Sequence, residues 1–153
     1  MKEESREYYK VTSLRQGTVI DHLPPGMALK ALEVLGIGTD RVVTIGMYLE
    51  SKKWGRKDLV KIEGKELNEA EVAKIALLGR HTTISIIRDW RVVDKLPVLL
   101  PSEIHGVVRC PNPSCITNHD PVRTRFRMEQ EEPLKVRCFY CERVVLKEEL
   151  ELL

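Results

Sequence analysis

Cys110-Pro111-Asn112-Pro113-Ser114-Cys115 and, further on, Cys138-Phe139-Tyr140-Cys141 contain all four cysteines of this 153-residue chain. Two close pairs separated by 22 residues suit a tetrahedral thiolate site. Each pair sits in a tight turn and offers two sulfurs, and the spacer folds back to join the turns. Pro111, Asn112 and Pro113 mark the first pair as a turn. The alternative is two disulfides in a secreted domain. Met1-Lys2-Glu3-Glu4 instead opens a charged N-terminus without an apolar signal segment, and no run approaches a transmembrane length. Paired cysteines in an intracellular, cytoplasmic chain are expected to bind one Zn2+ ion. Four sulfurs leave no position open for water, so that zinc is structural and performs no chemistry.

The cysteines also divide the chain. Residues 1–100 contain none, and residues 101–153 contain all four and are too few to build a large core. A module of that size commonly needs a metal to fold. The expected division is therefore 1–100 and 101–153. Residues 1–100 carry 17 Lys and Arg against 14 Asp and Glu (+3), and residues 101–153 carry 8 against 9 (−1). A protein that wraps nucleic acid by bulk charge is expected to be strongly basic, and this chain is not. Charged residues make up 31% of the chain and aromatics 5%. Neither nucleic acid nor a membrane is an expected partner.

Tyr8 to Leu14 is a β-rich run, and Gly17 to Leu23 continues as strand until Pro24-Pro25-Gly26 interrupts it. Ala28, Ala31, Leu32 and Leu35 then form one apolar helical stripe that ends at Gly36 and Gly38. Val42 to Leu49 and Leu59 to Ile62 read as a hairpin around Ser51-Lys52-Lys53-Trp54-Gly55. Asn68 followed by Glu71 is a capping-box start for a second helix, with Val72, Ile75 and Ala76 on its buried face and Gly79 as its stop. Thr82 to Ile87 and Arg91 to Val93 are again strand-like. Strand, helix, strand, strand, helix, strand is the ferredoxin-like split βαβ order, an α+β fold with both helices on one face of an antiparallel sheet. Leu96 to His105, with Pro97 and Pro101, reads as an inter-domain linker. Gly106 to Arg109, Val122 to Met128, Leu134 to Arg137 and Arg143 to Leu146 read as short strands of a small all-β, rubredoxin-like zinc domain.

No catalytic constellation is present: there is no Gly-rich phosphate loop, no HExxH and no nucleophile elbow. His81, His105 and His119 stand apart from any obvious acid or nucleophile, and four sulfurs leave His119 no ligand role. Lys57 and Lys61 flank a strand, Lys95 ends another, and Asp21-His22 ends an early one. Lysines and a histidine brought together bind phosphates, and an aspartate accepts a ribose hydroxyl. Scattered, the same residues are ordinary solvated charge. Trp90 either caps a base pocket or covers a sheet edge. Arg123, Arg125 and Arg127 alternate with Thr124, Phe126 and Met128, a strand face that a zinc ribbon could present to nucleic acid, but Glu129, Glu131 and Glu132 follow at once.

Four runs resemble one family. Arg15-Gln16-Gly17-Thr18-Val19-Ile20-Asp21-His22-Leu23-Pro24 is similar to the opening of aspartate carbamoyltransferase regulatory chains. Gly55-Arg56-Lys57-Asp58-Leu59-Val60-Lys61-Ile62-Glu63 resembles their central hairpin strand, and the two cysteine runs resemble their zinc knuckles. The resemblance covers about residues 8–146, with the motifs in the family's order. It implies a non-catalytic chain that forms a homodimer through its N-terminal domain and binds catalytic trimers through its zinc domain, three regulatory dimers bridging two trimers. It further implies that cytidine triphosphate (CTP) inhibits pyrimidine synthesis from the N-terminal domain, where adenosine triphosphate (ATP) competes as activator. By matching position, Lys95 and His22 would meet the phosphates, and Asp21 and Lys61 the ribose and base. Val11, Leu14, Ile87, Trp90 and Val92 would line the rest of that pocket, and Asn112 would lie at the catalytic-chain contact. Trp90 stands where well-known members have tyrosine. The competing assignment from the residues alone is a zinc-ribbon nucleic-acid-binding protein.

Overall fold

A computed structural model describes residues 13–153. The chain divides into two compact units between Val98 and Leu99. In the first, β1 (Gly17–Leu23), β2 (Val43–Ser51), β3 (Gly55–Glu63), β4 (Thr83–Arg88) and β5 (Arg91–Pro97) form one sheet in the order β2-β3-β1-β4-β5. Every neighbouring pair is antiparallel. Helix α1 (Ala28–Val34) connects β1 to β2, and helix α2 (Glu69–Leu78) connects β3 to β4. Each connection must pass over an intervening strand, which is the split βαβ order, and β5 adds one more strand beyond β4. Val11, and the Tyr8–Thr12 part of the first expected strand, lie outside the described residues.

Alternation decides which face is covered. Ile20, Val60 and Ile62 are fully buried, and Ile84 nearly so. Side chains two apart share a face, and cross-strand partners share it too. These isoleucines and valine therefore form the apolar face that Ala28, Ala31, Ile75 and Ala76 of the helices cover. Helix α2 starts where the sequence indicates. The Asn68 side chain accepts from the Glu71 backbone N–H, and the Glu71 carboxylate accepts from the Asn68 N–H, both at 2.9 Å.

The second unit is built from short strands. β6 (Glu103–His105), β8 (Arg125–Gln130), β9 (Lys135–Cys138) and β10 (Val144–Leu146) form a sheet ordered β10-β9-β8-β6, and β7 (Val108–Arg109) pairs with β11 (Glu151–Leu152). Ile104, Val108, Phe126, Val136 and Val145 make its small core.

The expected linker is a correction. Leu96 and Pro97 complete β5 opposite Ile84 and Thr83, and Glu103–His105 form β6 opposite β8. Pro97 is tolerated because β5 is an edge strand, where a missing N–H interrupts no further ladder. Glu103, Ile104 and His105 show too short a pattern to announce a strand; pairing with Arg125–Arg127 makes them one.

Candidate functional site

In the C-terminal unit, each cysteine pair is shaped by hydrogen bonds local to its own turn. In the first knuckle the Asn112 side-chain oxygen accepts from the Ser114 N–H at 3.0 Å, and the Asn112 carbonyl accepts from the Cys115 N–H at 3.0 Å. The Asn118 amide donates to the carbonyls of Cys110 and Asn112, at 2.9 and 2.8 Å. His119 Nε2 is bonded to the Pro113 carbonyl at 2.6 Å, so this ring braces the turn and does not face the sulfurs. In the second knuckle the Cys138 N–H donates to the Arg143 carbonyl at 2.9 Å, and the Glu142 N–H to the Cys138 carbonyl at 3.0 Å.

The two turns bring all four Sγ atoms within 4.8 Å of one another. Cys110 Sγ lies 3.7 Å from Cys141 Sγ, and Cys115 Sγ 3.8 Å from Cys138 Sγ, so each close contact crosses from one knuckle to the other. A disulfide needs sulfurs about 2.05 Å apart. A tetrahedron with Zn–S bonds of about 2.3 Å has S···S edges of about 3.8 Å. The donor set therefore fits one zinc ion, and it does not fit two disulfides. Burial pushes the thiols of Cys110 and Cys138 up. Burial also resists ionisation of Cys141, but the Arg143 backbone N–H and the Asn112 side chain outweigh it and bring that thiol down to about 7. The Thr117 hydroxyl donates to Cys115 Sγ at 3.2 Å, a further contact favouring thiolate at this centre.

The sheet face turned away from the helices carries the second set. Strand register places Thr44, Lys61, Val19, Ser85 and Lys95 in one row across β2, β3, β1, β4 and β5. Two residues along, Gly17, Ile87 and Val92 form the next row on the same face, and Asp21 lies opposite Thr83 on the other side. A bulge between Ile20 and Leu23 interrupts the β1–β3 register, and His22 sits there with φ +59°. A bulge turns consecutive side chains toward one side, which sets His22 beside Asp21. The His22 backbone N–H donates to Asp21 Oδ1 at 2.6 Å, and its Nδ1 is bonded to Thr83 Oγ1 at 3.1 Å. Lys57 Nζ approaches Asp21 Oδ1 to 2.9 Å.

Burial lowers the pKa of His22; Asp21 opposes this, and the charges of Lys57, Lys95 and Lys53 add to it. Burial likewise lowers the Lys61 ammonium pKa against the pull of Asp21. At the far end of the sheet, Asp89 and Trp90 form a two-residue turn with φ +49° and +67°, and the Trp90 N–H donates to the Arg15 carbonyl at 3.0 Å. The buried Leu14 stands next to that contact in the chain. Asp21, His22, Lys61, Ile87, Val92 and Lys95 thus share the face or its ends, and Trp90 lies at the rim, 61% exposed.

Sequence reasoning left out two residues that organise this region. Thr83 anchors His22. Asp58 is fully buried and accepts from the Ala28 N–H at 2.9 Å and the Tyr48 N–H at 3.0 Å. It thereby joins the start of α1 to a second bulge, in β2 between Gly46 and Leu49. Nothing in the sequence distinguishes this carboxylate from the solvated ones around it.

The described residues thus comprise a sheet with a lysine-bearing face and a separate module built round four clustered sulfurs. A family model for the aspartate carbamoyltransferase regulatory chain, allosteric domain, matches residues 9–99, and one for the metal binding domain of the same chain matches residues 102–151. The chain is 51% identical over 144 residues to the aspartate carbamoyltransferase regulatory chain of Pyrococcus abyssi, covering 92% of this chain and 95% of that one. Its identity to the chain of the same name from Thermococcus gammatolerans is 49% over 143 residues, with the same coverage. For Methanocaldococcus jannaschii it is 47% over 137 residues, covering 90% and 92%. The chain belongs to the aspartate carbamoyltransferase regulatory chain family, and it is a non-catalytic subunit whose C-terminal domain binds metal.

Proposed function

We propose that this chain binds CTP and ATP on the open face of its five-stranded sheet and biases the catalytic trimers of aspartate carbamoyltransferase through its zinc domain. CTP acts as inhibitor and ATP as activator, in the cytoplasm, from a homodimer formed by the N-terminal domains. The observation that carries the site is the cross-strand row from Lys61 to Lys95, with Asp21 and His22 set beside it by the bulge. Lys95 and His22 meet the phosphates, Asp21 and Lys61 the ribose and base, and Leu14, Ile87, Trp90 and Val92 the remaining surface. Asn112, whose side chain already shapes the first knuckle, lies at the trimer contact.

Regulation requires each nucleotide to bind two quaternary states with different affinity. The usual coupling is about 1–3 kcal/mol, roughly a 5- to 150-fold shift. The test is to mix the chain with its organism's catalytic trimer and titrate each nucleotide while following aspartate saturation. Lys95→Ala should abolish the response with the complex still assembled; an unchanged response counts against the site. The competing zinc-ribbon reading loses its basic strand, because Arg125 is paired with Glu103 at 3.0 Å and Arg127 and Arg137 with Glu129 at 3.3 and 2.7 Å.

A further inference from the structure

Cys115 is followed at once by a single tight helical turn (Ile116–Asn118) and by His119. The polar side chains of this segment all reach back to the first knuckle. The Thr117 hydroxyl donates to Cys115 Sγ at 3.2 Å, the Asn118 amide donates to the carbonyls of Cys110 and Asn112, and His119 Nε2 is bonded to the Pro113 carbonyl. Asn118 and His119 thus brace the main chain of the knuckle, whereas Thr117 is bonded to a sulfur.

Four thiolates outweigh the charge of one Zn2+, so the closed centre is a net anion. Cys110, Cys115 and Cys138 are each 1% exposed, so water gives that charge little relief and protein donors must supply it. Backbone N–H groups serve three of the sulfurs: Asn112 for Cys110, Tyr140 and Cys141 for Cys138, and Arg143 for Cys141. At Cys115 the donor is the Thr117 hydroxyl, which a substitution can remove with the main chain left in place. Thr117 is half-buried and lines an open cavity of about 420 Å³, and Cys115 is not part of that wall. The threonine side chain therefore stands between the cavity and the sulfur.

We propose that Thr117 is a positioning residue of the metal centre: its hydroxyl fixes Cys115 Sγ where a tetrahedral ion needs it, and so sets how tightly the metal is retained. Outer partners of this kind are typically worth about 10–100-fold in metal affinity. The 3.8 Å contact between the sulfurs of Cys115 and Cys138 joins one knuckle to the other, so a Cys115 sulfur free to swing loosens the cross-link itself. This role is independent of the nucleotide reading above. Thr117→Val keeps the branched shape and still closes off the cavity, so it removes the donor without admitting water in its place. Thr117→Ser keeps the donor and discards only the methyl group.

Two measurements on the full chain under reducing conditions test it: competition for zinc against a chromophoric chelator, and the absorption spectrum with Co2+ in place of zinc. Thr117→Val should bind zinc about 10–100-fold more weakly than wild type. It should also move the sulfur-to-cobalt charge-transfer band to longer wavelength, because a thiolate without its hydrogen bond gives up electron density more readily. Thr117→Ser should match wild type in both. If the valine and serine variants are weakened alike, the methyl group and its packing matter and the hydroxyl does not, which overturns the proposal. Wild-type affinity in Thr117→Val overturns it too, as does weakened zinc binding with an unshifted band. Asn118→Ala loosens the same turn without touching a sulfur; if it shifts the band as far as Thr117→Val does, distortion of the turn explains the shift and the proposal falls. A wild-type chain that takes up neither ion overturns the metal centre itself and the role of Thr117 with it.

Discussion

The N-terminal unit and the C-terminal unit bury their backbones by different means. The first lays two helices over a five-stranded sheet and fills the space with Ile20, Val60, Ile62 and Ile75, all fully buried. Each such side chain contributes about 1.5–3 kcal/mol of burial. The second has strands of two to six residues and a handful of fully buried apolar side chains. So small a core leaves little surplus over chain entropy, and a metal cross-link between two turns supplies what burial does not. One unit is held by its middle, the other by its knuckles.

Metal removal should expose that contrast most strongly. Structural zinc in small modules binds with about 10–16 kcal/mol. Chelation under reducing conditions, or Cys138→Ser, should therefore unfold residues 99–153 and leave the N-terminal unit folded. Amide chemical shifts would show it, and a metal-free C-terminal unit that kept its native spectrum would break the comparison. In the other direction, Ile62→Ala should cost about 2–5 kcal/mol by creating a cavity. Urea denaturation should find that loss in the N-terminal unit alone, with zinc content unchanged.

Smaller effects sharpen the picture within the first unit. Asp58→Ala strands two backbone N–H groups and should cost about 2 kcal/mol or more, with faster hydrogen exchange at Ala28 and Tyr48. Asn68→Ala removes the cap of α2 and should cost about 1 kcal/mol. That cap also carries a pH signature. Burial resists ionisation of Glu71, but Lys65 and the Asn68 N–H overcome it and hold the carboxyl below its ordinary value. A depressed carboxyl stabilises the fold fully above the unfolded carboxylate range, near pH 4.5, and loses that contribution as pH falls through it toward the folded value. The gap between the urea midpoints of wild type and Glu71→Gln should therefore narrow progressively as pH falls below about 4.5.

Much of this was legible in the chain. Cysteine spacing reports a metal site because four thiolates in two turns have few other uses, and the cap of α2 is written locally in Asn68 and Glu71. The βαββαβ order followed from alternation and apolar stripes. The remaining features come from contacts distant in sequence. Gly17 to Leu23 reads as an uninterrupted strand, and the bulge that sets His22 beside Asp21 exists only in its pairing with β3. Lys61 and Lys95 are 34 positions apart, and only register puts them in one row. Trp54 and His81 stack across a similar separation. Leu96-Pro97 looked like linker because edge position, which makes proline harmless, is a property of the sheet and not of the residues.

The turn from β4 to β5 has a consequence of its own. Two-residue hairpins with both central φ angles positive favour Asn-Gly or Asp-Gly, yet the second position here is a tryptophan at φ +67° with most of its surface in water. A bulky side chain in that backbone region costs of order 1–3 kcal/mol. Trp90→Gly should therefore raise the melting temperature of the first unit by a few degrees. The native hairpin forgoes that gain, and so keeps an indole exposed at the rim of its sheet at the expense of its own stability.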